Sequence, residues 1–165
     1  PEAVDQAAEL LQRARNVYCM GQGGSMILAQ DIWARLSTIS NKFHTCGDNH
    51  LQVLAASLMS SEDVILFVSY SGSTRDMMDT LSVARKTGAK IILITHYADA
   101  PGASLADVVL LCGALEAPLD GGSMPVKVAE LFVAEALILR YSLDNSELVN
   151  ISRNKTSAAV ATKLL

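Results

Sequence analysis

The hydrophobic residues of the sequence fall into short continuous runs separated by stretches of helical periodicity. Aliphatic and β-branched residues occupy positions 64–68 and 91–94 with few interruptions, which is typical of strands covered on both faces in a parallel sheet. Shorter runs at 17–20 and 107–111 predict two further strands, and residues 41–44 predict a weak fifth strand.

Between these strands, apolar residues recur three and four positions apart, as they do on one face of a helix. The helix that joins the two longest runs is predicted to end at Thr87 and Gly88, because glycine is a common helix terminator. A turn is expected at 100–102. This alternation predicts an α/β fold, a doubly wound five-stranded parallel sheet flanked by helices. The residues that define the helical faces are Val4, Ala7, Ala8, Leu11 and Ala14, then Leu28, Ala29, Ile32 and Leu36, then Leu51, Leu54, Ala55 and Leu58, then Met77, Leu81 and Ala84.

A long helix is predicted to start at Ser123, Met124 and Pro125, with proline in the first turn, where its missing N–H does no harm. Residues 128–139 are apolar almost all round the helix, so we expect it to be buried, in part against a second subunit. Glu135 falls among these apolar residues and is predicted to be a buried acid, either structural or able to carry a proton.

Length and composition favour one domain over residues 1–165. Half of the residues are hydrophobic and only 5% are aromatic, a balance that suits aliphatic strands between helices. A globule of this size buries about 70% of its unfolded surface. The chain begins with Pro1 rather than methionine, so we expect it to be a fragment of a longer protein.

Charge, cysteine content and hydropathy exclude several classes of protein. The 13 basic residues are scattered and outnumbered by 17 acidic ones, giving a net charge of −4, so this chain alone is not expected to bind nucleic acid. Cys19, Cys46 and Cys112 have no paired spacing, which predicts neither disulfides nor a zinc site and favours the reducing cytoplasm. The most apolar stretch is too short to cross a bilayer, and there is no signal-peptide pattern, so we expect a soluble protein without a membrane partner.

The segment after the central predicted strand has the composition of a phosphate site. Residues 69–74 read Ser-Tyr-Ser-Gly-Ser-Thr and lead directly into a predicted helix. Hydroxyls, a flexible glycine and free N–H groups at a helix N-terminus bind phosphate well. The alternative is a capping box of Ser73 with Asp76, but a cap needs a single hydroxyl and the serines and threonine supply four. The candidate ligand-binding residues here are Ser69, Ser71, Gly72, Ser73 and Thr74.

A second glycine-rich segment follows the first predicted strand. Residues 21–25 read Gly-Gln-Gly-Gly-Ser, which is close to a dinucleotide fingerprint. The third glycine of that fingerprint would fall at Met26, however, and no carboxylate ends the next predicted strand to hold a ribose. We therefore expect no cofactor. The glycines would instead let the backbone approach a small ligand, with Ser25 supplying a hydroxyl or, alternatively, capping the helix.

Two further side chains are candidates for the same site. His50 lies at the start of a predicted helix and Lys127 in the first turn of the long helix, and both are expected to point toward the strand ends. The alternatives are a surface or capping histidine and a solvated lysine. His44 and His96 have no metal-ligand spacing with one another or with Cys46, so they are predicted to be structural and no metal site is expected.

Taken together, these motifs resemble the SIS (sugar isomerase) family. The resemblance rests on residues 21–25 and 69–74, on Gly-Ala-Lys at 88–90 and on Ala-Asp at 106–107, and it extends over about residues 17–141. Within the family the chain looks most like the effector domain of RpiR-type bacterial transcription regulators. That resemblance implies a homodimer formed through the SIS domain, and a helix-turn-helix domain ahead of this chain that makes the DNA contacts.

The resemblance also implies roles for individual residues. Ser69, Ser71 and Thr74 match the phosphate turn of the family, and Ser25 matches the serine that contacts the sugar phosphate. SIS isomerases often read Ser-Gly-Glu-Thr at this turn, whereas Ser73 stands here in place of the glutamate. We therefore expect a sensor of sugar phosphates that has no catalytic residues.

The identity of the sugar is implied by two positions. His50 and Lys127 coincide with ligand contacts in the sialic-acid-catabolism regulators of the family, which implies an amino-sugar phosphate such as N-acetylmannosamine 6-phosphate. The alternative function is an aldose–ketose isomerase, for which His50, Glu130 or Glu135 would serve as the base.

Overall fold

The computed structural model describes residues 1–113 and 124–161, so Ser123, one of the predicted start residues of the long helix, lies outside the described residues. In chain order the elements are α1 Glu2–Arg13, β1 Asn16–Gly21, α2 Gly24–Ser37, β2 Phe43–Thr45, α3 Asn49–Ser57, β3 Asp63–Val68, α4 Arg75–Thr87, β4 Lys90–Thr95, a 3₁₀-helix Pro101–Leu105, β5 Val108–Leu111, α5 Met124–Asp144 and α6 Ser146–Ala161.

The five strands form one parallel sheet in the order β2-β1-β3-β4-β5, which confirms the predicted α/β fold. From β1 the chain first moves outward to β2, and it then returns to β3 and moves outward on the other side. The direction of winding therefore reverses between β1 and β3, whose last residues, Gly21 and Val68, are paired. In open α/β sheets this switch point, at the carboxyl ends of the strands, is where ligands bind.

The core has two layers because successive side chains of each strand point to opposite faces. Val64, Leu66 and Val68 of β3 pack with residues of α1, α2 and α5. Ile65 and Phe67 pack with residues of α3 and α4 on the other face. Every residue of β3 is buried, which explains why residues 64–68 are a continuous apolar run in the sequence. Burying one such side chain stabilises the fold by about 1.5–3 kcal/mol.

The boundaries of α4 and its neighbours follow local chemistry. Gly88 ends α4 in the left-handed conformation, with a φ of 84°, as predicted from the sequence. The turn expected at 100–102 is instead the start of the 3₁₀-helix, with Pro101 at its first position. Proline suits that position because no N–H is needed there.

α5 is buried on one side within this chain. Val126, Ala134 and Leu137 are buried, but the opposite side of the helix is exposed within this chain, including 57% of Val128 and 75% of Phe132. Within the described ranges, other segments cover only one side of α5, and apolar side chains on the other side are exposed. In the two described ranges, no helix has both the length and the hydrophobicity needed to span a membrane.

The prediction that Glu135 is a buried acid is wrong. This residue lies on the solvent-exposed part of α5 and forms an ion pair with Arg35 of α2. The buried carboxyl group of this helix is Glu130, which is only 5% exposed.

Candidate functional site

The serine-rich turn follows β3 at the switch point of the sheet and is held by backbone hydrogen bonds. The N–H of Ser69 donates to Ile94 O of β4 (3.0 Å), and the N–H of Gly72 donates to Ser69 O (3.2 Å). The carbonyl of Gly72 accepts from the N–H of Gly102 (2.8 Å). The turn is therefore fixed to β4 and to the 3₁₀-helix beneath it.

Gly72 is required by this geometry. Its φ is 58°, in the left-handed region that favours glycine. A Cβ atom at this position would lie 2.6 Å from Ala100 Cβ and 2.8 Å from Thr95 Oγ1. Both the backbone conformation and the close packing exclude a larger residue.

The hydroxyls of the turn differ in their surroundings. Ser69 is 6% exposed, and its Oγ accepts a hydrogen bond from the N–H of Gly72 (3.2 Å), while its own O–H is still able to donate. Ser71 is half-buried and accepts weakly from the N–H of Ser73 (3.4 Å). Ser73 and Thr74 are exposed. Apart from Ser69, the hydroxyl-bearing residues of the turn are therefore accessible to solvent.

The alternative interpretation of this turn, a capping box of Ser73 with Asp76, does not agree with the structure. The N-cap of α4 is Thr74, whose side chain makes no capping hydrogen bond. The carboxylate of Asp76 instead accepts from Asn49 Nδ2 of α3 (2.7 Å). The first N–H groups of α4 have no intrahelical partners and no capping side chain at Thr74, so they leave a partial positive charge beside the turn.

The glycine-rich segment after β1 lies beside this turn. A Cβ atom on Gly21 would lie 2.8 Å from Ser25 O, so the start of α2 packs directly on the end of β1. The N-cap of α2 is Gly23, with a φ of 54°, which excludes the alternative that Ser25 caps the helix. The half-buried Ser25 lies in the first turn of α2 instead.

A side-chain hydrogen bond joins the two segments. Thr74 Oγ1 donates to Gln22 Oε1 (2.9 Å), so the N-termini of α2 and α4 adjoin at the switch point. Two positive helix ends with hydroxyl groups between them form a surface suited to an anion.

His50 and Lys127 lie at two sides of this region. Asp48 caps α3 by accepting from the N–H of Leu51 (2.9 Å). His50 is exposed in the first turn of the same helix. Lys127 is exposed in the first turn of α5 and lines a cavity of about 220 Å³ between α2 and α5, together with Gly24. No hydrogen bond or ion pair joins either side chain to the turn within the described part of the chain.

Glu130 lines the same cavity as Lys127. Burial, together with the negative charge of Glu130, raises the pKa of the Cys112 thiol to about 11. Cys112 is therefore uncharged near neutral pH.

Two glutamines, Gln22 and Gln52, were not predicted from the sequence as site residues, but they lie beside the segments at 21–25 and 69–74. Gln22 bonds Thr74, and the fully buried Gln52 donates through Nε2 to Gly21 O (2.9 Å) and Cys46 O (2.8 Å). Gln52 thus ties the ends of β1 and β2 together. A glutamine next to an apolar helical face was the available signal in the sequence.

The histidines predicted to be structural lie outside the turn itself. His44 Nε2 lies 3.2 Å from Asn16 Oδ1. His96 Nδ1 lies 2.8 Å from the carbonyl oxygen of Cys112, to which it donates, and its ring stacks on Tyr70. Among residues 1–113 and 124–161, no group of three or more His, Cys, Asp or Glu side chains is arranged to hold a metal ion.

Comparison with known proteins identifies an SIS domain whose relatives include transcriptional regulators. A family model described as SIS domain matches residues 10–140. The HTH-type transcriptional regulator RpiR of Escherichia coli K12 is 33% identical over 159 residues, which cover 96% of this chain and 54% of the regulator. The chain therefore spans about half the length of the curated relatives it matches.

Solved structures share this fold. The Vibrio vulnificus NanR protein complexed with ManNAc-6P matches with a TM-score of 0.93 and 27% identity, over 99% of this chain and 61% of that chain. The sugar isomerase domain of an RpiR transcription factor from Sphaerobacter thermophilus matches with a TM-score of 0.85 and 21% identity, over 96% of this chain and 87% of that chain.

Proposed function

The chain belongs to the SIS domain family, with RpiR-type regulators among its relatives, and we propose that it is the sugar-phosphate-sensing domain of such a regulator. The observation that carries the proposal is the position of the turn at 69–74. It lies at the topological switch point, ahead of a helix whose N-cap side chain makes no capping bond, and next to the N-terminus of a second helix.

The phosphate of the ligand would bind to this turn. Ser71 would donate its O–H group, and Ser69 would donate its O–H while still accepting from Gly72. Thr74, whose O–H is donated to Gln22, would contribute its backbone N–H. The first N–H groups of α4 add neutral donors and a partial positive charge. Gly72 and Ser73 would contribute backbone contacts. Hydrogen bonds from such donors to a charged phosphate are stronger than those between neutral groups.

The sugar would extend from the turn toward α2, α3 and α5. Ser25 lies in the first turn of α2, and Lys127 lines a cavity together with its neighbour Gly24. His50 lies in the first turn of α3, next to the Asn49 that bonds Asp76 of α4. In this proposal Lys127 balances the phosphate charge, and Ser25 and His50 bind sugar hydroxyls.

N-acetylmannosamine 6-phosphate is our first choice of ligand. The support is the match over 99% of this chain to a NanR protein that binds this sugar phosphate, at 27% identity. His50 and Lys127 are the residues on which this choice depends.

The rest of the regulator would supply DNA binding. We propose that a helix-turn-helix domain precedes this chain, that the SIS domains form a homodimer, and that the ligand changes the geometry of the dimer and thereby its affinity for DNA. The regulators that match this chain are about twice its length, which leaves room for such a domain.

A thermal-shift panel of hexosamine, hexose and pentose phosphates tests the proposal. A ligand at 100 times its dissociation constant adds about 2.7 kcal/mol of stability, which corresponds to a rise of about 5–10 °C in Tm for a domain of this size. Ser71→Ala should reduce the shift, whereas Ser61→Ala, at an exposed serine ahead of β3, should not. A Tm that no sugar phosphate changes would refute the proposal.

A second candidate function is aldose–ketose isomerisation. It is favoured by one observation, the buried carboxyl group of Glu130 in the cavity that Lys127 also lines, since this reaction needs a base near C1 and C2 of the sugar. Incubation with the best ligand, followed by NMR, decides between the functions. Conversion that Glu130→Gln abolishes would establish the isomerase, and complete absence of turnover would exclude it.

A further inference from the structure

The carboxamide of Gln22 is only half used by the protein. Its Oε1 accepts the hydrogen bond from Thr74, but its Nε2 is buried and has no hydrogen-bond partner among the described residues. Buried donors are nearly always paired in folded proteins, so each exception needs an explanation. This donor lies next to the phosphate turn, where it is available to a ligand.

In the carboxamide of Gln52 it is the acceptor, rather than the donor, that has no partner among the described residues. Both hydrogen bonds that it makes are donated by Nε2, to Gly21 and Cys46, while its Oε1 is buried and has no partner in the described part of the chain. Gln52 is 0% exposed, so solvent does not reach the side chain as a whole. This residue offers an unused acceptor at the ends of β1 and β2.

The two carboxamides lie at the same strand end. Gln52 bonds the carbonyl of Gly21, and Gln22 is the next residue along the chain. Asn49, in the same helix as Gln52, bonds Asp76 in the first turn of α4, two residues beyond the Thr74 that bonds Gln22. These hydrogen bonds connect both glutamines to the end of β1 and to the N-termini of α3 and α4.

One unused donor and one unused acceptor match a group that both accepts and donates. We propose that Gln22 and Gln52 bind one polar group of the ligand's sugar, a hydroxyl or an acetamido group, beside the phosphate turn. Ionised phosphate has no donor for Gln52 Oε1, so the phosphate would stay on the turn. The glutamines would then select sugar phosphates over simple phosphate. This inference rests on the proposed function.

Binding by Gln22→Met and Gln52→Met tests it. Methionine keeps the length and volume of glutamine but has no amide. Titrations would use N-acetylmannosamine 6-phosphate by calorimetry and inorganic phosphate by ³¹P NMR. We expect Gln22→Met to weaken the sugar phosphate at least about tenfold, the effect of about 1.4 kcal/mol, and to change the affinity for inorganic phosphate less than about twofold. Gln30→Met, at an exposed glutamine of α2, should change neither affinity.

Mannose 6-phosphate identifies the group that is bound. It carries a hydroxyl where N-acetylmannosamine 6-phosphate carries the acetamido group. If Gln22→Met weakens both sugar phosphates, a hydroxyl common to both is bound. If it weakens only the acetamido sugar, the acetamido group is bound.

Two results would overturn the inference while leaving the proposed function intact. If Gln22→Met weakens sugar phosphate and inorganic phosphate equally, Gln22 only supports the turn through Thr74. If neither affinity changes in Gln22→Met, the amide does not face the ligand. If Gln52→Met fails to fold, Gln22→Met alone decides. If the unsubstituted chain binds no sugar phosphate, the proposed function and the inference fail together.

Discussion

Gly72 shows at the scale of one residue how the turn is built. Its φ of 58° and the 2.6 Å approach that a Cβ atom would make to Ala100 predict that Gly72→Ala lowers the free energy of unfolding by about 2–3 kcal/mol. Gly47→Ala is the matched control, because a Cβ at that position meets only ordinary contacts of 3.9 Å. Urea unfolding of both variants measures the difference, and equal losses would contradict the described turn.

Asp63 gives the pH dependence of stability at this scale. Although burial by itself raises the pKa of this carboxyl, hydrogen bonds from Asn16, Ser60 and Arg15 outweigh it, and the pKa lies below its usual value. The carboxylate therefore contributes stability above the unfolded pKa of about 3.9, and this contribution is lost as the pH falls through the folded pKa.

Asp63→Asn should lower the free energy of unfolding by about 1–3 kcal/mol at pH 7. The difference from the unsubstituted chain should shrink as the pH drops below about 4. Glu62→Gln, at an exposed neighbour, should change stability little. Unfolding measured between pH 7 and pH 3 provides the test. A difference that stays constant with pH would contradict a folded-state pKa of Asp63 below its usual value.

Individual residues of the site were predictable to the extent that their chemistry is local. Four hydroxyls and a glycine ahead of a helix indicate the turn at 69–74 without knowledge of the sheet. Gln22 and Gln52 carry no such signal, because their roles depend on Thr74 and on strand-end carbonyls brought near by folding.

At the scale of elements, the N-termini of α3 and α4 differ in a way that can be measured. Asp48 caps α3 through its side chain, whereas Thr74 at the start of α4 makes no capping bond. Asp48→Ala should therefore cost about 1 kcal/mol of stability, and Thr74→Ala less than about 0.5 kcal/mol, although it should weaken ligand binding. Chemical denaturation compares the two, and a larger loss for Thr74→Ala would contradict the assignment.

Periodicity predicted the presence of α3 but not its buried face. Leu51, Leu54 and Leu58 are exposed, and Gln52 and Ala56 are buried instead. The carbonyls at the ends of β1 and β2 need a donor, and Gln52 provides it. Hydrophobicity alone contains no information about that need.

The end of α1 shows the same limit. The Nζ of Lys42 donates to the carbonyls of Leu11 (2.6 Å) and Gln12 (3.1 Å), and burial lowers the pKa of this lysine. A cation at a helix C-terminus is favourable. Because about 30 residues separate Lys42 from α1, this cap belongs to the tertiary structure and no local pattern indicates it.

At the scale of the whole molecule, the alternation of strands and helices was sufficient to predict the parallel sheet. The strand order was not contained in that pattern, and it is the order that places the switch point between β1 and β3. The order also brings the segments at 21–25 and 69–74 side by side.

The exposed face of α5 leads to a prediction about assembly. Val128, Leu131, Phe132 and Leu139 are all more than two-fifths exposed, and apolar patches of this kind mark interaction surfaces. We expect Phe132→Asp to convert the proposed homodimer to a monomer without changing its circular dichroism spectrum. Leu58→Asp, on the opposite face of the sheet, is the control. Sedimentation velocity provides the test, and a Phe132→Asp variant that remains dimeric would contradict this interface.

The most direct test of the central claim is a ¹H–¹⁵N NMR titration of this chain with N-acetylmannosamine 6-phosphate. If the phosphate binds where we propose, the amide resonances of residues 71–76 should shift in a saturable manner, and the glycine amides of residues 23–24 should follow. Shifts that leave residues 71–76 unchanged while other regions respond would contradict the phosphate site. Absence of any shift would contradict the sensing function itself.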